Sequence, residues 1–382
     1  MKQRNLKTTF MLLAAFAATS CSNETDPTLN PNANPDAVEL GITAGVELTK
    51  SVIDGGTNAQ SGTGANILQE VAVRATGDDY TSGKSNDKAI YSQSSGAWTS
   101  GNDKIYLTAK VATIYAFHPV YTYDTNGNKT STAVTVAGTV GSGATIPVTL
   151  FTGGDTESGS PTLKANSTIT DADNSSTKKI LSAPGEVDYL WEGSDTKPTA
   201  SNGKASDATT TKSVELNMKH ALSMVSFKIY KDATYKGDGL LTKIVLKNKD
   251  NGTALKAEGA TMNIETGAVT VTGTTGATFT RLIKASNSVD GATLASTVDN
   301  AHSYSILVFP DAKAVAKNTI QAVFTIDGAD YMKELAANTT GVQWEAGKNN
   351  TYTVKLSGTG LTIGTVKVAA WTSETGGNME IN

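Results

Sequence analysis

In the run VELGITAGVEL every second residue is apolar: Val38, Leu40, Ile42, Ala44, Val46 and Leu48. Glu39, Gly41, Thr43, Gly45 and Glu47 lie between them. A period of two puts all six apolar side chains on one face of an extended chain and spreads them around a helix. Such a strand needs a sheet to join and a core to cover its face. The same period recurs in Ile105, Leu107, Ala109, Val111, Thr113, Tyr115 and Phe117, and again in Ile146, Val148 and Leu150. It returns in Val225, Phe227 and Ile229, and in the runs LTKIVLKN, YSILVFP, IQAVFTI and TYTVKLSG. No long stretch shows a 3.6-residue apolar stripe. With 36 glycines and closely spaced turn signals, the chain is expected to be all-β, built as β-sandwiches. At 382 residues it is long enough for two tandem domains.

The two ends differ from the middle. Lys2, Arg4 and Lys7 precede the apolar run FMLLAAFAA, which is too short to span a bilayer as a helix. Cys21, the chain's one cysteine, follows in ATSC. An unpaired thiol is out of place in an exported protein, and a lipid on the sulfur removes the difficulty. ATSC resembles the lipobox of bacterial lipoproteins, so residues 1–20 are expected to be a lipoprotein signal peptide and Cys21 the lipidation site. Residues 21–37 are polar and proline-punctuated, a flexible tether. Glu24 and Asp26 resemble the acidic signal that sends Bacteroidetes lipoproteins to the cell surface. At the other end, GLTIGTVKVAAW places Leu361 and Ile363 on odd positions but Val366, Val368 and Ala370 on even ones. A bulge near Gly364 would return all five to one face. After Trp371 come a glycine-containing hinge, SETGG, and a short alternating tail with Met379 and Ile381 on one side.

Composition and motifs argue against chemistry at a site. The net charge is −4, and without the first 20 residues 29 basic residues face 36 acidic ones, a balance of −7. No basic patch remains for nucleic acid. His118, His220 and His302 are isolated, with no partner at metal-ligand spacing, and buried, hydrogen-bonded histidine is the better reading of His118 and His220. No GxSxG elbow or phosphate-binding loop stands in a strand–helix context. Four tryptophans are what a core and its rims use. No enzyme activity, metal or cofactor is expected.

One residue stands apart. Arg74 is the only arginine between Arg4 and Arg281, and it sits where the run EVAV meets the polar ATGDD.

The sequence resembles the fimbrillin family of Bacteroidetes pilus subunits. RATGDDY, AIYSQSSGAWTSGNDKIYL, IYAFHPVY, DYLW, VELNMKHALSMVSFKI, SYSILVFPD and GKNNTYTVKLSGTGLTIGTVKVAAWT carry the match, in that order. The resemblance implies two transthyretin-like β-sandwich domains, assigned to 75–212 and to 213–382 with its donor-strand tail. It implies a precursor anchored in the outer membrane by its lipid and cut by an arginine-specific protease between Arg74 and Ala75. The cut would remove the segment 38–74. A neighbouring copy would then fill the vacated groove with its C-terminal strand, here Val366, Val368, Ala370, Trp371, Met379 and Ile381. The expected partners are other copies of the chain, related pilus subunits, the protease, and a receptor on a host or bacterial surface. An alternative within the family is a tip adhesin or a permanently anchored surface protein binding glycan or host protein, since family tip subunits keep the C-terminal strand in their own fold.

Overall fold

The computed structural model describes residues 38–46, 68–80, 87–94, 97–123, 129–153, 162–164, 180–181, 186–204, 211–286, 289–314, 319–335 and 343–370. The expected signal peptide, Cys21 and the tether lie outside the described residues, as do Leu48, Trp371, Met379 and Ile381.

Those residues are all-β, with one 3-10 turn at Val298–Asn300 and no α-helix. First in the chain come β1 (Val38–Glu39), β2 (Gly41–Val46), β3 (Glu70–Thr76), β4 (Lys88–Ser94) and β5 (Ala97–Ser100). β6 (Tyr106–Leu107) and β7 (Ala112–His118) follow, and then a ribbon of β8 (Tyr121–Tyr123) and β9 (Lys129–Ala133). β10 (Thr145–Val148), β11 (Thr162–Lys164), β12 (Ile180–Leu181), β13 (Leu190–Glu192), β14 (Thr199–Ala200) and β15 (Ser213–His220) complete this half. One eight-stranded sheet runs β2-β15-β13-β7-β3-β4-β5, with β14 also on β7. It closes around Leu40, Ile42, Val71, Val73, Tyr91, Ile105, Ile114 and Leu216, each at most 5% exposed.

The expected single run from Ile105 to Phe117 is two strands. Thr108 turns the chain, its Oγ1 accepting from the Lys110 N–H at 3.1 Å, and the pleat changes phase. Ile105 and Leu107 are buried, but beyond the turn Ala112, Ile114 and Ala116 take over the same core. Phe117 turns to the other side of the sheet, where with Ala72 it joins a second core.

That second core lies between two further sheets. Its strands are β16 (Ser223–Lys231), β17 (Leu240–Asn248), β18 (Ala260–Asn263), β19 (Val269–Val271) and β20 (Thr278–Ser286). The short β21 (Val289–Asp290) and β22 (Ala292–Thr293) precede β23 (Ser303–Val308), β24 (Asp311–Ala314), β25 (Ile320–Ile326) and β26 (Ala329–Glu334). β27 (Gln343–Trp344), β28 (Lys348–Ser357) and β29 (Gly360–Ala370) end the described chain. One sheet runs β11-β20-β17-β25-β26, the other β12-β23-β16-β28-β29. Across the sandwich Phe227 meets Phe324 edge to face at 5.3 Å, the geometry aromatic quadrupoles favour, and beside it on the next strand of its own sheet the Tyr352 ring lies 5.9 Å away.

The strands do not divide at a single point in the sequence. β10, β11 and β12 pair with β18, β20 and β23 of the second half. β15, although it begins at Ser213, pairs with β13 and β2 in the first sheet. The segment 186–192 binds the halves together. Glu186 meets Arg281 at 2.6 Å with both side chains almost fully buried, while four residues later Leu190 begins β13 in the first sheet. The turn after β18 closes under Trp191: a Cβ on Gly267, whose φ is +70°, would lie 2.0 Å from the indole nitrogen, so glycine is required there.

Candidate functional site

The leading strand supplies the site. β2 lies at the edge of the eight-stranded sheet, parallel to β15, with Gly41 opposite Ser213 and Val46 opposite Met218. A parallel neighbour far away in sequence is what an added strand looks like, since no short turn can join the two. Close approach is built in: a Cβ on Gly41 would lie 3.1 Å from the Ser213 side chain. Leu40 and Ile42 are 1% and 5% exposed and pack in the core that holds Val71, Val73 and Ala75. Ala44 and Val46 are half-buried against it, and Thr43 and Gly45 face out. The expected one-sided burial of this strand is therefore present through Val46.

Polar contacts fasten the same strand. The Leu40 N–H donates to the Ile105 carbonyl at 2.8 Å and the Gly41 N–H to the Lys212 carbonyl at 2.9 Å. The Tyr91 hydroxyl donates to the Leu40 carbonyl at 2.6 Å. Glu39 accepts from Ser100 Oγ and, at 2.6 Å, from Lys104 Nζ. Burial pulls the Glu39 carboxyl up, but the hydrogen bonds from Lys104 and Ser100 outweigh it and leave its pKa lowered. Burial first, and then the Glu39 charge, push the Tyr91 phenol up, which keeps it a donor. Tyr91, Ser100 and Lys104 are a clasp that sequence reasoning missed. Tyr91 shares a period-two face with Ala89, and nothing local to it points to Leu40, 51 residues away.

Arg74 lies inside β3, which continues to Thr76. It stands opposite Lys88 in β4 and Tyr115 in β7. Its guanidinium lies over the Phe117 ring at 5.6 Å, and Nη1 is 3.4 Å from the Val73 carbonyl. Ala75 is 2% exposed and its N–H donates to the Asp87 carbonyl at 2.9 Å. The expected polar turn begins two residues later. Gly77 has φ +147°, and a Cβ there would meet the Val111 carbonyl at 2.7 Å. Asp79 accepts from Thr108 Oγ1 at 2.6 Å, and Asp78 is exposed.

The trailing strand is described as far as Ala370. In β29, Val366 pairs with Tyr352, Val368 with Asn350 and Ala370 with Lys348, antiparallel along β28. A register shift sets Gly364 and Thr365 against Thr353, which is the bulge expected near Gly364. Leu361 is buried and Ile363 and Val366 pack on the second core, while Val368 is 36% exposed. Only the first part of the expected donor segment is thus seen, and it sits in the chain's own sheet.

Two of the three histidines, His118 and His220, are buried and hydrogen-bonded, as expected. His118 Nδ1 lies 3.2 Å from the Glu70 carbonyl, and His220 Nδ1 lies 2.6 Å from Asp188, which burial holds above the usual carboxylate range. Trp344 donates to the Tyr352 hydroxyl at 3.1 Å, inside the core. No group of three or more metal-ligating side chains is found among the described residues.

A family model described as fimbrillin-like matches residues 56–371. Among solved structures, the chain is similar to a candidate cell adhesion protein from Bacteroides uniformis, at 18% identity and TM-score 0.50, over 88% of this chain and 100% of that one. A candidate cell adhesion protein from Bacteroides ovatus is similar at 15% identity and TM-score 0.52, over 88% and 99% of the two chains. At these identities the likeness is one of fold. No curated protein matches the sequence. On the match across residues 56–371, the chain belongs to the fimbrillin-like family.

Proposed function

We propose that this chain is a structural subunit of a cell-surface pilus, exported as a lipoprotein on Cys21 and assembled by strand exchange after proteolysis at Arg74. Family membership supports the pilus and adhesion role. The observation that carries the assembly step is β2 itself: an apolar-faced edge strand, parallel to its neighbour β15 and placed ahead of the proposed cut. Hydrolysis between Arg74 and Ala75 would release β1, β2 and Glu70–Arg74 of β3 together. Three places would open: the edge along β15, the slot between β4 and β7, and the side of β6 that β1 covers. Apolar pockets and unpaired backbone groups are costly in water, so the opened sheet would favour an incoming strand. The residues after the bulge, through Met379 and Ile381, would supply it from a neighbouring copy. Head-to-tail filling of this kind does not close on itself and yields a fibre.

The test is Arg74→Ala. The account expects the variant to remain monomeric and lipid-bound, and fibres forming normally from it would contradict the account.

One observation favours a second reading, a tip adhesin or permanently anchored surface protein. β29 completes the chain's own sheet as far as Ala370. Deletion of 373–382 separates the two: it abolishes polymerisation if the tail is a donor, and leaves fold and surface display unchanged if the chain is a tip.

A further inference from the structure

The chain carries 32 basic residues, of which three are arginine, at positions 4, 74 and 281. Beyond Arg74 the sequence offers an arginine-directed protease one more residue, Arg281. That side chain is 0% exposed. Its Nη2 donates to Glu186 at 2.6 Å and to the Phe151 carbonyl at 3.1 Å. Its Nη1 donates to the carbonyls of Thr152 and Thr280 at 3.1 and 2.9 Å. Elsewhere after Arg74 every Lys-or-Arg position is lysine, which gives the same charge at neutral pH without the guanidinium such a protease reads.

The bond after Arg74 is also enclosed. β3 is paired on both sides, by β4 and by β7, across Arg74. Ala75 on the far side of the bond is 2% exposed. A protease must take an extended stretch out of the fold, so its rate follows the fraction of chains in which that stretch is open. Leu40 and Ile42 share one core with Val71, Val73 and Ala75, so undocking of β2 removes part of what holds β3.

We propose that the fold governs arginine-directed cutting of this chain. The docked precursor withholds the Arg74–Ala75 bond, release of β2 and β3 presents it, and the remaining chain holds no arginine within reach. This rests on the proposed processing after Arg74 and adds when the cut occurs and why it is single. The step is peptide hydrolysis: water adds across the Arg74–Ala75 bond, leaving a carboxylate on Arg74 and an ammonium on Ala75.

The experiment treats the purified full chain with an arginine-specific endoprotease and identifies the fragments by mass spectrometry. In native buffer the wild type resists at Arg74 and Arg281, and unfolded in urea it is cut at both. Ile42→Asp, and more gently Tyr91→Phe, speed the cut at Arg74, by at least about tenfold for Ile42→Asp, and leave Arg281 intact. Cutting at Arg74 in native wild type as fast as in the unfolded chain overturns the proposal, as does native cutting at Arg281. So does an unchanged rate in both variants. If protein shed from cells lacks an N-terminus at Ala75 while this pattern holds in vitro, the processing reading fails and the gating stands.

Discussion

The Tyr91 hydroxyl reaches the Leu40 carbonyl at 2.6 Å and thereby ties the leading strand to β4. Leu40 is 1% exposed at the joint between β1 and β2, so its carbonyl has little access to water when that bond is lost. Tyr91→Phe is expected to cost about 1–2 kcal/mol, the penalty for a buried acceptor left unpaired. A shift of the urea midpoint with unchanged slope would show it, and a variant as stable as wild type would remove Tyr91 from the clasp.

Acid should loosen the same strand. The Glu39 pKa is lowered in the fold from its ordinary 4.5, so the contribution of Glu39 is present above that value and is lost as pH falls through the folded-state pKa. The group is about a third exposed, so the effect is modest. Comparing wild type with Glu39→Gln between neutral pH and pH about 3 should show a smaller loss of stability in the variant. Parallel curves would contradict it.

Arg281 and Glu186 form an ion pair with both side chains out of water. Arg281→Met leaves the carboxylate without its counter-charge and is expected to cost about 3–5 kcal/mol. Adding Glu186→Leu should recover much of that loss, because an apolar pair avoids the desolvation of both charges. Thermal melts of the single and double variants decide it: a double variant no better than the single would show that the backbone contacts dominate, those of Arg281 and the bond Glu186 accepts from the Leu307 N–H at 2.9 Å.

Gly267→Ala should destabilise by at least about 1 kcal/mol, since φ is +70° and the new methyl would strike Trp191. Pairing it with Trp191→Ala should return the part due to the clash and leave the part due to the backbone. Equal stability of wild type and Gly267→Ala would contradict the close approach.

Strand existence was legible where one face is buried, because a period of two survives any tertiary context. Leu40 and Ile42, Ile146 and Val148, and Val225 and Phe227 all fall where alternation placed them. The bulge at Gly364 was legible for the same reason, as a change of phase with no change of face. The run through Lys110 misled, because two strands of opposite phase separated by a short turn read as one when small residues such as Ala109 fill the gap. Pairing was not legible. That β2 joins β15 in parallel and that β10 to β12 pair with β18, β20 and β23 are decided by surfaces far apart in sequence. The clasp of Tyr91, Ser100 and Lys104 on β1 and β2 was invisible for that reason, and so was the position of Arg74 within a strand paired on both sides.

The central claim is that a leading strand is exchanged for another copy's tail after one cut, and mass spectrometry of the protein shed from cells tests it most directly. The account predicts chains that begin at Ala75 and carry no lipid. Shed material that begins with an acylated Cys21 and still contains β2 would contradict it.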